Sequence, residues 1–275
     1  MALPAALVAV VRSDRAQTPS ESPAVRRAAT RGTRAGSGHQ TAASTRHSLD
    51  NPAYFALTGP HSQLALRRGQ ALRYPADMCP FAALPDRPSA SDWADLADLA
   101  GPGSLVVLAA VDLEPPQAWT TVVRIPSVQL VDSGVAPVPD EQAERLGPAD
   151  TQDMLSLVER TKPGPFEIRT VELGTYLGLR RHGELIAMAG QRMAPPGWTE
   201  ISAVCTDPAF RGQGLAARLV RAVVAEIRQR GQSAFLHAET KNTGAIRLYE
   251  SLGFRLRRHT SFLVLRTPAT DRADP

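Results

Sequence analysis

A chain of 275 residues with 43% hydrophobic content is long enough for one large or two modest domains with a buried core, which excludes a wholly disordered protein. Its two cysteines, Cys79 and Cys205, are too few and too far apart for a disulfide framework or a clustered metal site, so no metal is expected. The formal charge of +4 raises nucleic acid as a partner, but residues 1–47 alone carry seven arginines against Asp14 and Glu21, and the remainder is slightly acidic.

Residues 1–46 are rich in Ala, Ser, Thr, Gly and Pro without a period, and a disordered basic tail is expected there. It reads as a solvated extension in preference to a nucleic-acid-binding arm. Its opening "MALPAALVAVV" lacks the basic start and cleavage pattern of a secretory signal, and no apolar run in the chain reaches the length of a membrane span. A cytoplasmic protein without a membrane partner is the expectation.

Residues 47–140 read as a smaller α/β unit. "SQLALRR" (62–68) and "SASDWADLADLA" (89–100) have helical spacing, while "ALRYP" (71–75) and "SLVVLAAV" (104–111) are strand-like. No motif in this unit carries chemistry. A Pro-rich stretch over 135–150 marks a boundary, and a second unit is expected over 141–267, with 268–275 a flexible end.

In the second unit "DTQDMLSLVERT" (150–161) predicts a short helix and "TYLGLRRHGELIAMAGQRM" (175–193) a hairpin around "RHGE". The strand "TEISAVCT" (199–206) leads into "DPAFRGQGLAARLVRAVV". There Leu215, Leu219, Val220, Val223, Val224 and Ile227 form one face of a helix. A strand "SAFLHA" (233–238), a helix in "NTGAIRLYESLGF" (242–254) ended by Gly253, and a strand "SFLVLR" (261–266) complete the unit.

The two glycines at the entrance of the long helix are the most informative feature. First-turn backbone N–H groups lack internal partners and sit at the positive end of the helix dipole, so they suit an anion. Gly212 and Gly214 allow a tight turn and close approach of a phosphate, Ala216 and Ala217 keep the helix start small, and Arg211 supplies a guanidinium. A phosphate or pyrophosphate is the expected ligand. A P-loop is excluded because no Lys follows Gly214. "GQGLAA" satisfies the dinucleotide fingerprint, with Glu239 as a ribose-binding candidate, but a Rossmann sheet needs further βαβ units than the chain supplies.

"TDPAFRGQGLA" resembles the R-x-x-G-x-A acyl-CoA loop of the GNAT superfamily of N-acyltransferases, and "NTGAIRLYESLGF" resembles its N-x-x-A-x-x-x-Y-x-x-x-G-F segment. The resemblance covers 141–267. It implies an α/β mixed-sheet GNAT-type fold with splayed central strands, preceded by a divergent α/β unit, and acetyl-CoA as co-substrate with no permanently bound cofactor. It also implies that Val204, Cys205 and Thr206 offer backbone to the pantetheine arm. The amides of Gln213, Gly214, Leu215, Ala216 and Ala217 would take the pyrophosphate, with Arg211 and Gly212 beside them, while Asn242 would fix the exit of the next strand.

Attack of an amine on a thioester needs a neutral amine, a stabilised oxyanion and a proton for the leaving thiolate. Tyr249 occupies the family's usual general-acid position, and Glu200 the register at which some members place a general base. His237 reads first as a packing histidine, Cys205 as a buried thiol in preference to a nucleophile, and the remaining histidines show no ligand spacing. The expected activity is N-acetyl transfer to an amine-bearing small molecule or peptide in a ternary complex. A non-catalytic acyl-CoA-binding module is the alternative, and the sequence carries no signal of oligomeric state.

Overall fold

The computed structural model describes residues 47–269, so the basic tail over 1–46 and the last residues of the expected C-terminal end lie outside the described residues. Eleven strands form one mixed sheet. In chain order they are β1 (Leu66–Arg68), β2 (Ala71–Arg73), β3 (Phe81–Ala83), β4 (Leu105–Leu108), β5 (Thr120–Asp132) and β6 (Glu144–Leu146), then β7 (Tyr176–Arg181), β8 (Glu184–Gln191), β9 (Trp198–Thr206), β10 (Ser233–Glu239) and β11 (Phe254–Arg266). The spatial order is β1-β2-β3-β4-β11-β5-β10-β9-β8-β7-β6. Among the described residues five α-helices cover it: α1 (Pro52–Thr58), α2 (Ala90–Ala100), α3 (Thr151–Thr161), α4 (Leu215–Gln229) and α5 (Thr243–Leu252). The α/β mixed sheet expected from the sequence is present.

Local chemistry accounts for the legible elements. Ser89 and Asp92 form a reciprocal capping box that starts α2. The β7–β8 hairpin turns on His182 and Gly183, both at positive φ (52° and 83°), as a two-residue loop requires. All six apolar residues predicted on one side of α4 are buried. Phe235 and Leu236, adjacent on β10, point to opposite faces. Leu236 joins α4 in a core with Leu219, Val223 and Ile201, whereas Phe235 joins Leu57, Tyr74 and Phe81 from the first stretch of chain.

Three readings differ from the structure. Residues 62–68 are not a helix: a 3₁₀ turn over Ser62–Leu64 leads into β1, because Gly69 (φ 52°) lets Arg68 fold back onto Ala71 and edge pairing outweighs local propensity. The last strand begins at Phe254, well before 261, because its polar first half is held by β5 through Arg255↔Val131 and Leu256↔Leu130. And β5, to which the sequence assigns nothing, lies between β10 and β11 and pairs with β11 from Phe254↔Asp132 to Arg266↔Thr120. Pro126 is tolerated within it because its carbonyl is the group used, accepting from Thr240 N at 3.0 Å.

The Pro-rich stretch therefore joins parts of one continuous sheet. That sheet curls: the Arg192 guanidinium, just past β8, lies 4.6 Å from the Phe81 ring centroid, although five strands separate β3 from β8. Among the described residues no helix is long and apolar enough to cross a membrane. Because β5 fills the gap between β10 and β11, a fragment beginning at residue 141 is expected to lose its cooperative urea transition and aggregate through two exposed edges. A chain of residues 47–275 should keep that transition, and circular dichroism with size-exclusion chromatography distinguishes the two.

Candidate functional site

The two central strands part company. β9 and β10 run parallel and pair from Ser233↔Trp198 to Leu236↔Ile201, after which β9 continues to Thr206 and β10 to Glu239 without pairing to each other. The far edge of β9 stays bonded to β8, through Met188↔Cys205 and Ala187↔Thr206. Between the pairs Gly190↔Ser202 and Met188↔Cys205 β9 holds one residue more than β8, and Ala203 takes a left-handed conformation (φ 54°). A bulge of this kind bends the strand away from its neighbour. It leaves Val204 and Thr206 half-buried and Cys205 buried along the open edge, with the Thr206 hydroxyl enclosed and without a partner.

The glycine loop closes one end of the opening. Asp207, gripped by Arg160 Nε at 2.7 Å, accepts from Ala209 N and starts a 3₁₀ turn over Pro208–Phe210. Arg211 Nε then donates to the Thr206 carbonyl at 3.3 Å and ties the loop to the end of β9. Gly212 and Gly214 sit at φ 78° and 73°, and a Cβ on either would meet no protein atom within 4 Å. The backbone needs glycine there, and the space in front is open. Gly214 caps α4 without a side-chain hydrogen bond, so the first-turn amides of Leu215, Ala216 and Ala217 lack helical partners. Gln213 and Arg211 are exposed beside them.

From the next helix comes the phenol. Asn242 Oδ1 accepts from Ala245 N at 3.2 Å and caps α5, the helix that carries Tyr249. Tyr249 is buried, its ring set edge-on to Phe254, and burial, reinforced by the nearby Cys205 thiol, pushes the phenol up to about 12. It remains a proton donor at neutral pH. Burial also pushes the Cys205 thiol to about 11, which keeps it protonated and poor as a nucleophile.

Glu200 sits in a setting the sequence does not reveal. It is wholly buried, and both oxygens are bound: Oε2 by Arg192 Nε and Oε1 by Arg192 Nη2 and His237 Nδ1, each at 2.8 Å. Burial alone would raise the carboxyl, but the Arg192 charge and these hydrogen bonds outweigh it and hold it at about 2. His237 is thus a hydrogen-bonded packing residue. Arg192 was the missed partner, and a signal exists: Arg192 and Glu200 flank the "MAPPGWT" turn and are cross-strand neighbours, with Glu200 N donating to Met193 O and Arg192 N to Glu200 O. Among the described residues no group of three or more His, Cys, Asp or Glu is placed to hold a metal.

The chain is similar to known proteins. The FR47-like protein family matches residues 176–263. The solved structure of a protein assigned as a GNAT-family acetyltransferase, from Novosphingobium aromaticivorans DSM 12444, superposes with a TM-score of 0.73 at 39% identity, covering 80% of this chain and 98% of its own. N-alpha-acetyltransferase RimI of Mycobacterium tuberculosis is 36% identical over 83 residues, which is 29% of this chain and 51% of that protein. Mycothiol acetyltransferase of Thermobispora bispora is 46% identical over 56 residues, 20% of this chain and 19% of that protein. The chain thus spans about half of the first curated relative and a fifth of the second. Its parted strands and glycine loop define an α/β fold of the acyltransferase type. The chain belongs to the GNAT superfamily.

Removing one member of a buried ion pair leaves the other uncompensated, so Glu200→Gln is expected to cost about 3–5 kcal/mol of stability, measured by urea unfolding. A double replacement, Arg192→Met with Glu200→Leu, should recover most of that loss. The folded carboxyl titrates below its ordinary value of 4.5, so its contribution is complete above about pH 4.5 and lost as pH falls toward 2. The parent should therefore lose stability across that window, and the double variant should lose less.

Proposed function

We propose that the protein transfers an acetyl group from acetyl-CoA to the amine of a small molecule or peptide, by direct attack in a ternary complex. The observation that carries this reading is the parting of β9 and β10 beyond Ile201, with the Ala203 bulge next to it, ahead of the glycine loop. The edge of β9 that faces β10 has no strand partner along Val204 and Cys205, and it suits the amide-bearing pantetheine arm. The first-turn amides of α4 and the Arg211 guanidinium suit the pyrophosphate. The names of the relatives, an N-alpha-acetyltransferase and a mycothiol acetyltransferase, support acetyl transfer as the class of reaction.

In this mechanism the amine lone pair attacks the thioester carbon, a C–N bond forms, and charge builds on the carbonyl oxygen, where an unpaired N–H of the β9 edge stabilises it. The C–S bond then breaks. Tyr249 donates its phenolic proton to the departing thiolate and recovers one from solvent, while the nitrogen loses its extra proton to water in the cleft. Glu200 is assigned to holding the point of divergence in place of abstracting a proton, since its oxygens are occupied and it titrates near 2.

A panel of amines with acetyl-CoA, followed by thiol release, tests the proposal. Tyr249→Phe keeps the ring and should lower turnover by about 10²–10⁴ while coenzyme A affinity stays near the parent's. Gly214→Val should weaken coenzyme A binding in calorimetry, because its side chain would occupy the open space before the helix. Tight acetyl-CoA binding with no amine acylated would replace this reading with a non-catalytic binding module.

A further inference from the structure

The buried pair at Glu200 is one end of a longer hydrogen-bonded row. His237 donates from Nδ1 to Glu200, and its Nε2 lies 3.0 Å from the side-chain nitrogen of Gln129 on β5. Gln129 cannot be turned the other way, because its oxygen accepts from Arg257 Nη1 at 2.8 Å and its nitrogen donates to the Leu49 carbonyl at 2.9 Å. Arg257 sits where the β5–β11 register shifts, between Leu256 and Arg258, and it reaches Asp50 at 2.6 Å. An amide nitrogen facing Nε2 requires a lone pair there. The imidazole is therefore the tautomer with its hydrogen on Nδ1.

We propose that Gln129, Arg257 and Asp50 are positioning residues that lock the His237 ring in that tautomer and, through Arg192 and Glu200, set how far β10 stands from β9. His237 is the first residue of β10 beyond the last pair with β9, so the row crosses the sheet at the point where the strands begin to diverge. Every link is buried or half-buried, and the row is braced from outside by Leu49, whose carbonyl accepts from Gln129, and by Arg258, which also reaches Asp50 at 3.4 Å. Breaking one of its buried links leaves a donor and an acceptor without partners, which favours a single arrangement of the row. Gln129 and Asp50 lie outside the matched segment 176–263, so the first stretch of the chain adjusts a cleft built by the second. The link to the cleft rests on the acyl-CoA reading above, whereas the tautomer does not.

Nitrogen-15 NMR of the imidazoles in the full chain, with His237 assigned by its loss in His237→Gln, tests the row. The parent should show a protonated Nδ1 and a bare Nε2, and the opposite tautomer overturns the proposal. Gln129→Glu is similar in size but offers no donor to Nε2, so His237 should become protonated on both nitrogens. Coenzyme A affinity by calorimetry should then fall on the order of tenfold, with a smaller loss in Asp50→Asn at the half-exposed rim. Affinity within twofold of the parent in both variants would overturn the link to the cleft, and Asp50→Asn alone decides it if Gln129→Glu does not fold. A parent that binds no coenzyme A would overturn the acyl-CoA reading and that link together, leaving the tautomer result to stand or fall alone.

Discussion

The structure depends on two parallel strands that cease to pair in the middle of a sheet. Backbone N–H and C=O groups without partners are costly when buried, so a gap of this kind persists only if something else fixes both strands and something fills the space. The fixing is visible. β9 is held to β8 on its other side by Cys205 and Thr206, and β10 is held to β5 from Phe235 to Glu239. Ala203 absorbs the bend in a conformation that costs a non-glycine residue about 1–3 kcal/mol.

Around that gap the helices are arranged by their first turns. α4 begins beside the end of β9 and α5 beside the end of β10, so both helices present their amino ends to the same side of the sheet. The two are capped differently. Asn242 satisfies an amide of α5 from within the chain, whereas Gly214 satisfies none in α4. One helix, which carries Tyr249, has a side-chain cap on its first turn, and the other has none.

Much of this was readable from the residues, and the exceptions share a cause. The glycine loop, the apolar face of α4 and the end of α5 at Gly253 depend on neighbours within a few positions, so spacing reveals them. β5 does not alternate cleanly because it is covered on both faces: Val128 and Leu130 meet the core beneath α4, while Val123 and Val131 meet the other, and Arg124 and Pro126 interrupt the pattern. Glu200 looks like an exposed strand carboxylate until Arg192 is brought across the turn to it. Gln129 had no local signal at all, since its partners come from β10, β11 and the 3₁₀ turn at Leu49.

The placement of β5 also governs how the chain is made. Gln129 and His237 are 108 positions apart, and β5 acquires both its neighbours only after β10 and β11 have been synthesised. Until then an apolar strand waits with two bare edges, and the closing step pays a long-loop entropy before any of its contacts form. Assembly of the sheet around β5 therefore waits on β10 and β11, and until they arrive its open edges are exposed to wrong pairing.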